Sequence, residues 1–132
     1  MSRENVDLVK GVLSRWNAGE RRFADEEIHP EMVTVSRGIM AGRPLRGREG
    51  IRRYMQEIDD QFAEWTLSVD SWRDSGDCVG VLGRVHFHGR ESGVPLDFPV
   101  GMLFEIRNGQ LIRFETFLDQ PAEAVAAAGL RD

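Results

Sequence analysis

The stretch "VPLDFPVGMLFEIRNGQLIRFETFLD", Val94 to Asp119, reads as two strands joined by a tight hairpin. Asn108-Gly109 lies between them, and a two-residue turn that matches strand twist needs positive φ at both central positions, which this pair tolerates. The second strand shows its sidedness. Ile112, Phe114, Thr116 and Leu118 form a nearly apolar face, while Arg113, Glu115 and Asp119 alternate with Phe117 on the other. Thr116 is the one hydroxyl on the inner side.

Upstream, "WTLSVDSWR" (65–73) and "CVGVLGRVHFHGR" (78–90) are two further extended runs, punctuated by "DSGD" and "ESG". Four antiparallel strands in a meander are therefore expected after Glu64. Before Glu64 the period is helical. Ile51, Tyr54, Met55, Ile58 and Phe62 share one face of a helix, and Val6, Val9, Leu13 and Trp16 mark another that starts at Ser2 and stops at "NAGE". A short helix through Phe23, Ala24 and Ile28 is expected to end at Pro30, followed by a strand "MVTVS" from Met32 to Ser36. "RGIMAGRPLRG" reads as a turn-rich connection or irregular hairpin, and "PAEAVAAAGL" as a C-terminal helix with Asp119 as its cap. The expectation is one α+β domain over residues 1–132, a curved antiparallel sheet with three N-terminal helices on its concave face.

Composition narrows the function classes. A net charge of −5 argues against a nucleic-acid partner, since a phosphate-binding domain carries a basic face. The one basic cluster, "GRPLRGREGIRR" (42–53), is followed by the acidic "EIDD" and reads as a solvated loop and helix start. No run approaches the ~20 apolar residues of a membrane span, and no secretory signal is apparent, so a cytoplasmic protein without membrane partners is expected. A single cysteine, Cys78, rules out an intrachain disulfide and reads as a small hydrophobe.

The element order, with "WNAGE" closing the first helix, "RGREGIRRYM" opening the third and "FPVGMLFEIRNGQLIRFETFLDQ" near the end, resembles the SnoaL-like branch of the nuclear transport factor two superfamily. The resemblance implies the cone-shaped fold shared with ketosteroid isomerase, scytalone dehydratase, limonene-1,2-epoxide hydrolase and polyketide cyclases, with a ligand pocket between helices and sheet. At the positions of the ketosteroid isomerase base and oxyanion donors this chain has Ser36, Val12 and Gly101, which cannot do that job. Against the Asp-Arg-Asp set of the epoxide hydrolase it keeps Arg84, with His86 and Thr116 where the aspartates stand.

Strand 78–90 then carries two opposed readings. Periodicity alone sends Val79, Val81, Val85 and Phe87 to the core and leaves Arg84, His86 and His88 in solvent. The resemblance instead implies a pocket lined by Leu82, Arg84, His86 and His88, with the apolar face covered in a homodimer through the outer sheet face. Following the resemblance, His86 is the candidate general acid or base and Arg84 the group that stabilises an oxyanion or orients it. Tyr54, Thr116, His88, Asp97, Trp16, Phe114 and Leu118 are the candidate substrate-binding residues. The implied activity is that of a cofactor-free lyase, isomerase, cyclase or hydrolase acting on a small, apolar, oxygenated molecule. The alternatives are a non-catalytic hydrophobic-ligand or scaffold module, and recognition of a carboxylated metabolite by Arg84. His86-x-His88 has metal-ligand spacing, but only Asp97, His29 or Glu115 offer themselves as further ligands, so no metal is expected.

Overall fold

The computed structural model describes residues 2–20, 22–38 and 43–118. The hairpin closes as its sequence predicts: Arg107 pairs with Gln110, and Asn108 and Gly109 take φ of 52° and 77°. Around it lie α1 (Ser2–Asn17), β1 (Ile28–Gly38), β2 (Leu45–Arg46), α2 (Gly47–Gln61), β3 (Phe62–Ser75), β4 (Cys78–Gly89), β5 (Pro95–Arg107) and β6 (Gln110–Leu118). The sheet order is β2-β1-β6-β5-β4-β3, and β3 to β6 form the expected antiparallel meander.

Two expectations are corrected. The sheet is mixed, because β1 runs parallel to β6, with Ser36 opposite Thr116 and Thr34 opposite Phe114. Only a hairpin forces antiparallel pairing, and these strands are far apart in the chain. Among the described residues the helical layer holds two α-helices, since the expected second helix is a single 3-10 turn, Asp25–Glu27. The Glu27 carboxylate there accepts the Ala24 backbone N–H and pairs with Arg15 at 2.8 Å. Ile28 starts β1 instead, and Ile28, Met32 and Thr34 are buried on one face of it, with a register shift against β6 between Ile28 and Val33. The connection after β1 does return as a short antiparallel pairing, Val33 with Arg46 and Thr34 with Leu45. The expected C-terminal helix and its cap Asp119 lie outside the described residues.

Irregularities in the strands decide which side chains face the helices. β3 has register shifts between Ala63 and Thr66 and between Val69 and Ser71. Such shifts bend a strand and reverse its alternation. Trp65 and Trp72, of opposite parity in the sequence, therefore both join the helix-covered core. Beside the second shift β4 carries Gly83, where an added Cβ would lie 2.1 Å from the Ser68 carbonyl oxygen, so the strands approach too closely for any side chain. Another shift between Glu105 and Ile106 puts Leu111 in the core place expected of Ile112.

α1 buries Val9, Val12, Leu13 and Trp16, and α2 buries Ile51, Met55 and Ile58 against the same sheet face. Trp16 is the hinge of the packing, meeting Phe23, Trp65 and Phe114 edge-on at 5.6, 5.8 and 5.7 Å. Asn17 ends α1 by donating to the Leu67 carbonyl and accepting its N–H, each at 2.8 Å. Those bonds satisfy part of the free edge of β3.

Candidate functional site

A cavity of about 480 Å³ opens between α2, β1 and the inward faces of β3 to β6. Its apolar wall is Trp65, Val85, Phe87, Val100, Met102 and Leu118. Four hydroxyl side chains also line it: Thr34 and Ser36 from β1, Tyr54 from α2 and Thr116 from β6. The parallel β1–β6 pairing sets Ser36 beside Thr116, and α2 lays Tyr54 over them, its hydroxyl 3.1 Å from Thr116 Oγ1. Tyr54 also meets Phe114 edge-on at 5.9 Å.

The hydroxyls differ in how they are satisfied. Tyr54 and Thr116 hold each other, whereas Thr34 Oγ1 and Ser36 Oγ are buried with no hydrogen-bond partner among the described residues. A buried hydroxyl left unbonded costs ~1–3 kcal/mol, so these two atoms favour any cavity guest that carries a donor or acceptor. Burial pushes the Tyr54 phenol above its ordinary 10.0; the Thr116 hydrogen bond and the nearby Ser36 hydroxyl oppose the rise, and the Glu57 carboxylate adds to it. Tyr54 is therefore a neutral donor throughout the physiological range. At the mouth lie Arg43, Arg53, Glu57 and Gln61, with Arg53 and Glu57 3.5 Å apart one helical turn from each other.

Of the residues expected in the site, Tyr54, Thr116 and Leu118 line this cavity. Trp16 and Phe114, each 1% exposed, are core side chains behind its wall. Arg84, His86 and His88 are not in it, which corrects the orientation that the resemblance implied. Val85 and Phe87 face the cavity, so their neighbours on β4 point to the opposite side of the sheet. There Asp97 bridges Arg84 and His86, with 2.6 Å to Arg84 Nε and 2.6 Å to His86 Nδ1, and His88 reaches Glu64 at 3.2 Å. The Arg84 guanidinium, ahead of the His86 contribution, holds the Asp97 carboxyl below the usual carboxylate range. Because the apolar face of β4 is covered by this chain's own helices, it no longer argues for a homodimer through that face. Among the described residues no group of three His, Cys, Asp or Glu side chains is placed to hold a metal ion, and no helix is long and apolar enough to cross a membrane. Cys78 is partly buried beside Leu103 and Phe117, and its thiol is pushed up first by burial and then by Glu105 and Asp77.

Sequence reasoning passed over Thr34 as a cavity residue and took Ser36 only as a missing catalytic aspartate. The available signal was the alternation Met32, Thr34, Ser36 along one face of "MVTVS". It becomes informative only once β1 is known to pair with the inner-face residues Phe114 and Thr116.

A curved six-stranded sheet with two helices closing a cavity over its concave face defines an NTF2-like α+β protein. The SnoaL-like domain family matches residues 9–114, and the chain belongs to that family. No curated protein matches it. Among solved structures it is similar to a candidate SnoaL-like polyketide cyclase from Jannaschia sp. CCS1, with TM-score 0.79 and 23% identity over 95% of this chain and 92% of that one. An NTF2-like protein of unknown function from Burkholderia pseudomallei K96243 gives TM-score 0.78 and 19% identity over 96% and 97% of the two chains. AclR, a candidate hydroxylase from Streptomyces galilaeus, gives 0.75 and 14% over 99% and 100%. At these identities the likeness is one of fold.

Proposed function

We propose that this protein binds a small, largely apolar molecule carrying a carbonyl or hydroxyl oxygen, with that oxygen against the Tyr54, Thr116, Ser36 and Thr34 hydroxyls. The carrying observation is the pair of buried hydroxyls, Thr34 Oγ1 and Ser36 Oγ, that have no hydrogen-bond partner among the described residues and lie beside the apolar wall of the cavity. Ligand pockets of this size are built that way, from an apolar wall for affinity and a few polar groups for orientation. Calorimetry with a cyclic ketone and the hydrocarbon of the same shape tests it. The ketone should bind at least tenfold more tightly, and Tyr54→Phe should remove most of that preference while leaving the hydrocarbon unaffected. Equal affinities for the pair would overturn the reading.

A second, catalytic reading is favoured by one observation, the Glu57 carboxylate and the neutral Tyr54 phenol lining the same cavity one helical turn apart. In it Tyr54 polarises a bound carbonyl and Glu57 removes a proton from the adjacent carbon, the type of step that isomerases and cyclases share. Exchange of ketone α-protons in heavy water, lost in Glu57→Gln with binding retained, would support it; unchanged exchange would remove it. His86 and Arg84 take no part in either reading of the cavity.

A further inference from the structure

The geometry points to a second reactive centre on the opposite sheet face, in which Ser68 is an activated nucleophile toward small carboxylic esters. Three adjacent strands supply it. Ser68 on β3 is the register partner of Arg84 on β4, and His86, two residues on, is the register partner of Asp97 on β5. Ser68 and His86 are thus diagonal neighbours on one face, within reach of each other. The imidazole Nε2 lies 3.2 Å from Ser68 Oγ, and Nδ1 lies 2.6 Å from Asp97 Oδ2.

Hydrogen-bond bookkeeping fixes the roles. An ionised carboxylate only accepts, so in the neutral imidazole Nδ1 carries the proton and Nε2 presents its lone pair to Ser68. Asp97 is kept ionised by Arg84, whose Nε donates to the other carboxylate oxygen at 2.6 Å. That single bond leaves both Arg84 Nη groups without a partner among the described residues, on the side chain directly across from Ser68. Nucleophile, base, positioning carboxylate and a cation for the developing oxyanion are the parts that acyl transfer to serine requires.

The reaction balances without a co-reactant other than water. Ser68 Oγ adds to the ester carbonyl as its proton passes to His86 Nε2, and the alkoxide forms beside Arg84. Collapse expels the alcohol, which takes the proton from Nε2. Water then attacks the acyl-Ser68 with the same base, releasing the acid and restoring the hydroxyl. His86 and Asp97 border a shallow groove with Thr66 and Pro95, which continues the sheet face beyond Ser68. With His86 41% and Arg84 48% exposed, the centre is open to water, which suits esters with activated leaving groups.

The test is labelling of the native chain with a fluorophosphonate, alongside p-nitrophenyl acetate turnover, with the adduct located by peptide mass spectrometry. Modification should fall on Ser68, vanish in Ser68→Ala and in the urea-unfolded chain, and slow about a hundredfold in His86→Ala and His86→Gln. Asp97→Asn should slow it as well and shift the His86 ring nitrogens from a single Nδ1–H tautomer to a mixture in nitrogen-15 spectra. Circular dichroism confirms that each variant is folded. An adduct elsewhere, or a Ser68 rate unchanged in both His86 variants, would reduce the array to a surface polar ladder and overturn the inference.

Discussion

The two faces of β4 place opposite chemistry a single residue apart. Val85 and Phe87, 1% and 5% exposed, face the helices and the cavity, while Arg84, His86 and His88 face solvent and pair with carboxylates. The inner face is held by apolar burial and ring packing, Phe87 meeting Phe62 at 4.5 Å and Phe98 at 6.2 Å. The outer face is held by exposed charge pairs, which contribute little to stability because water screens them. What distinguishes the faces is therefore energetic weight: one supports the fold, the other is free to carry chemistry.

That contrast can be broken by mutation, beginning with the largest expected effect. Phe87→Ala should lose ~3–5 kcal/mol of unfolding free energy in urea, as large-to-small changes in cores do. His88→Ala next to it should change stability by no more than ~0.5 kcal/mol, as surface substitutions do. Comparable losses would show that the two faces are not divided as described. Gly83→Ala tests the junction between strands: its Cβ would meet the Ser68 carbonyl at 2.1 Å, so a loss of ~1–3 kcal/mol from overpacking is expected, together with displacement of Ser68.

Smaller effects sharpen the comparison. Tyr54→Phe removes the Thr116 hydrogen bond and should cost ~0.5–1.5 kcal/mol. Tyr54 is the only tyrosine in the chain, so phenolate absorbance reports it alone, and its native midpoint should lie above 10.0 and return to that value in denaturant. The sign follows from linkage. The folded state holds this proton more tightly than the unfolded one, so Tyr54's contribution is complete below 10 and is lost as pH rises toward the folded value. Asp97 behaves oppositely and more weakly. Its folded value is depressed, so the outer-face contribution is present at neutral pH and disappears as pH falls below about 3.8 through the folded value. Arg84→Gln and the parent should therefore differ slightly in urea stability at neutral pH and converge as pH falls through that window; a difference that persists below it would show that the outer face holds the fold by something other than the Asp97 charge.

How much was legible beforehand follows the same division. The hairpin at Asn108-Gly109, the four-strand meander and the stripes of α1 and α2 were readable because backbone conformation and local burial periodicity are written in consecutive residues. The short helix over Phe23 to Ile28 failed because its three apolar residues belong to separate pieces, Phe23 and Ala24 before the 3-10 turn and Ile28 at the start of β1. The parity of Ile112 was misread for a related reason, since alternation is a reliable guide only between register shifts. The cavity was half visible. Tyr54, Thr116 and Leu118 were named from their faces, whereas Thr34 and Ser36 became cavity residues only through pairing with a strand some eighty residues later.

The sequence by itself determined α1, α2 and the strands of the meander, the apolar stripes of the two helices, and which superfamily the chain resembles. Periodicity even assigned the faces of β4 as the structure has them, against what the resemblance implied. Only the tertiary structure decided where the cavity lies, which hydroxyls it holds, and that Ser68, His86, Asp97 and Arg84 meet. The reason is physical: turns and amphipathic stripes arise from neighbours in the chain, whereas a site is assembled by cross-strand register, and register is set by long-range packing that one residue of slip would reverse.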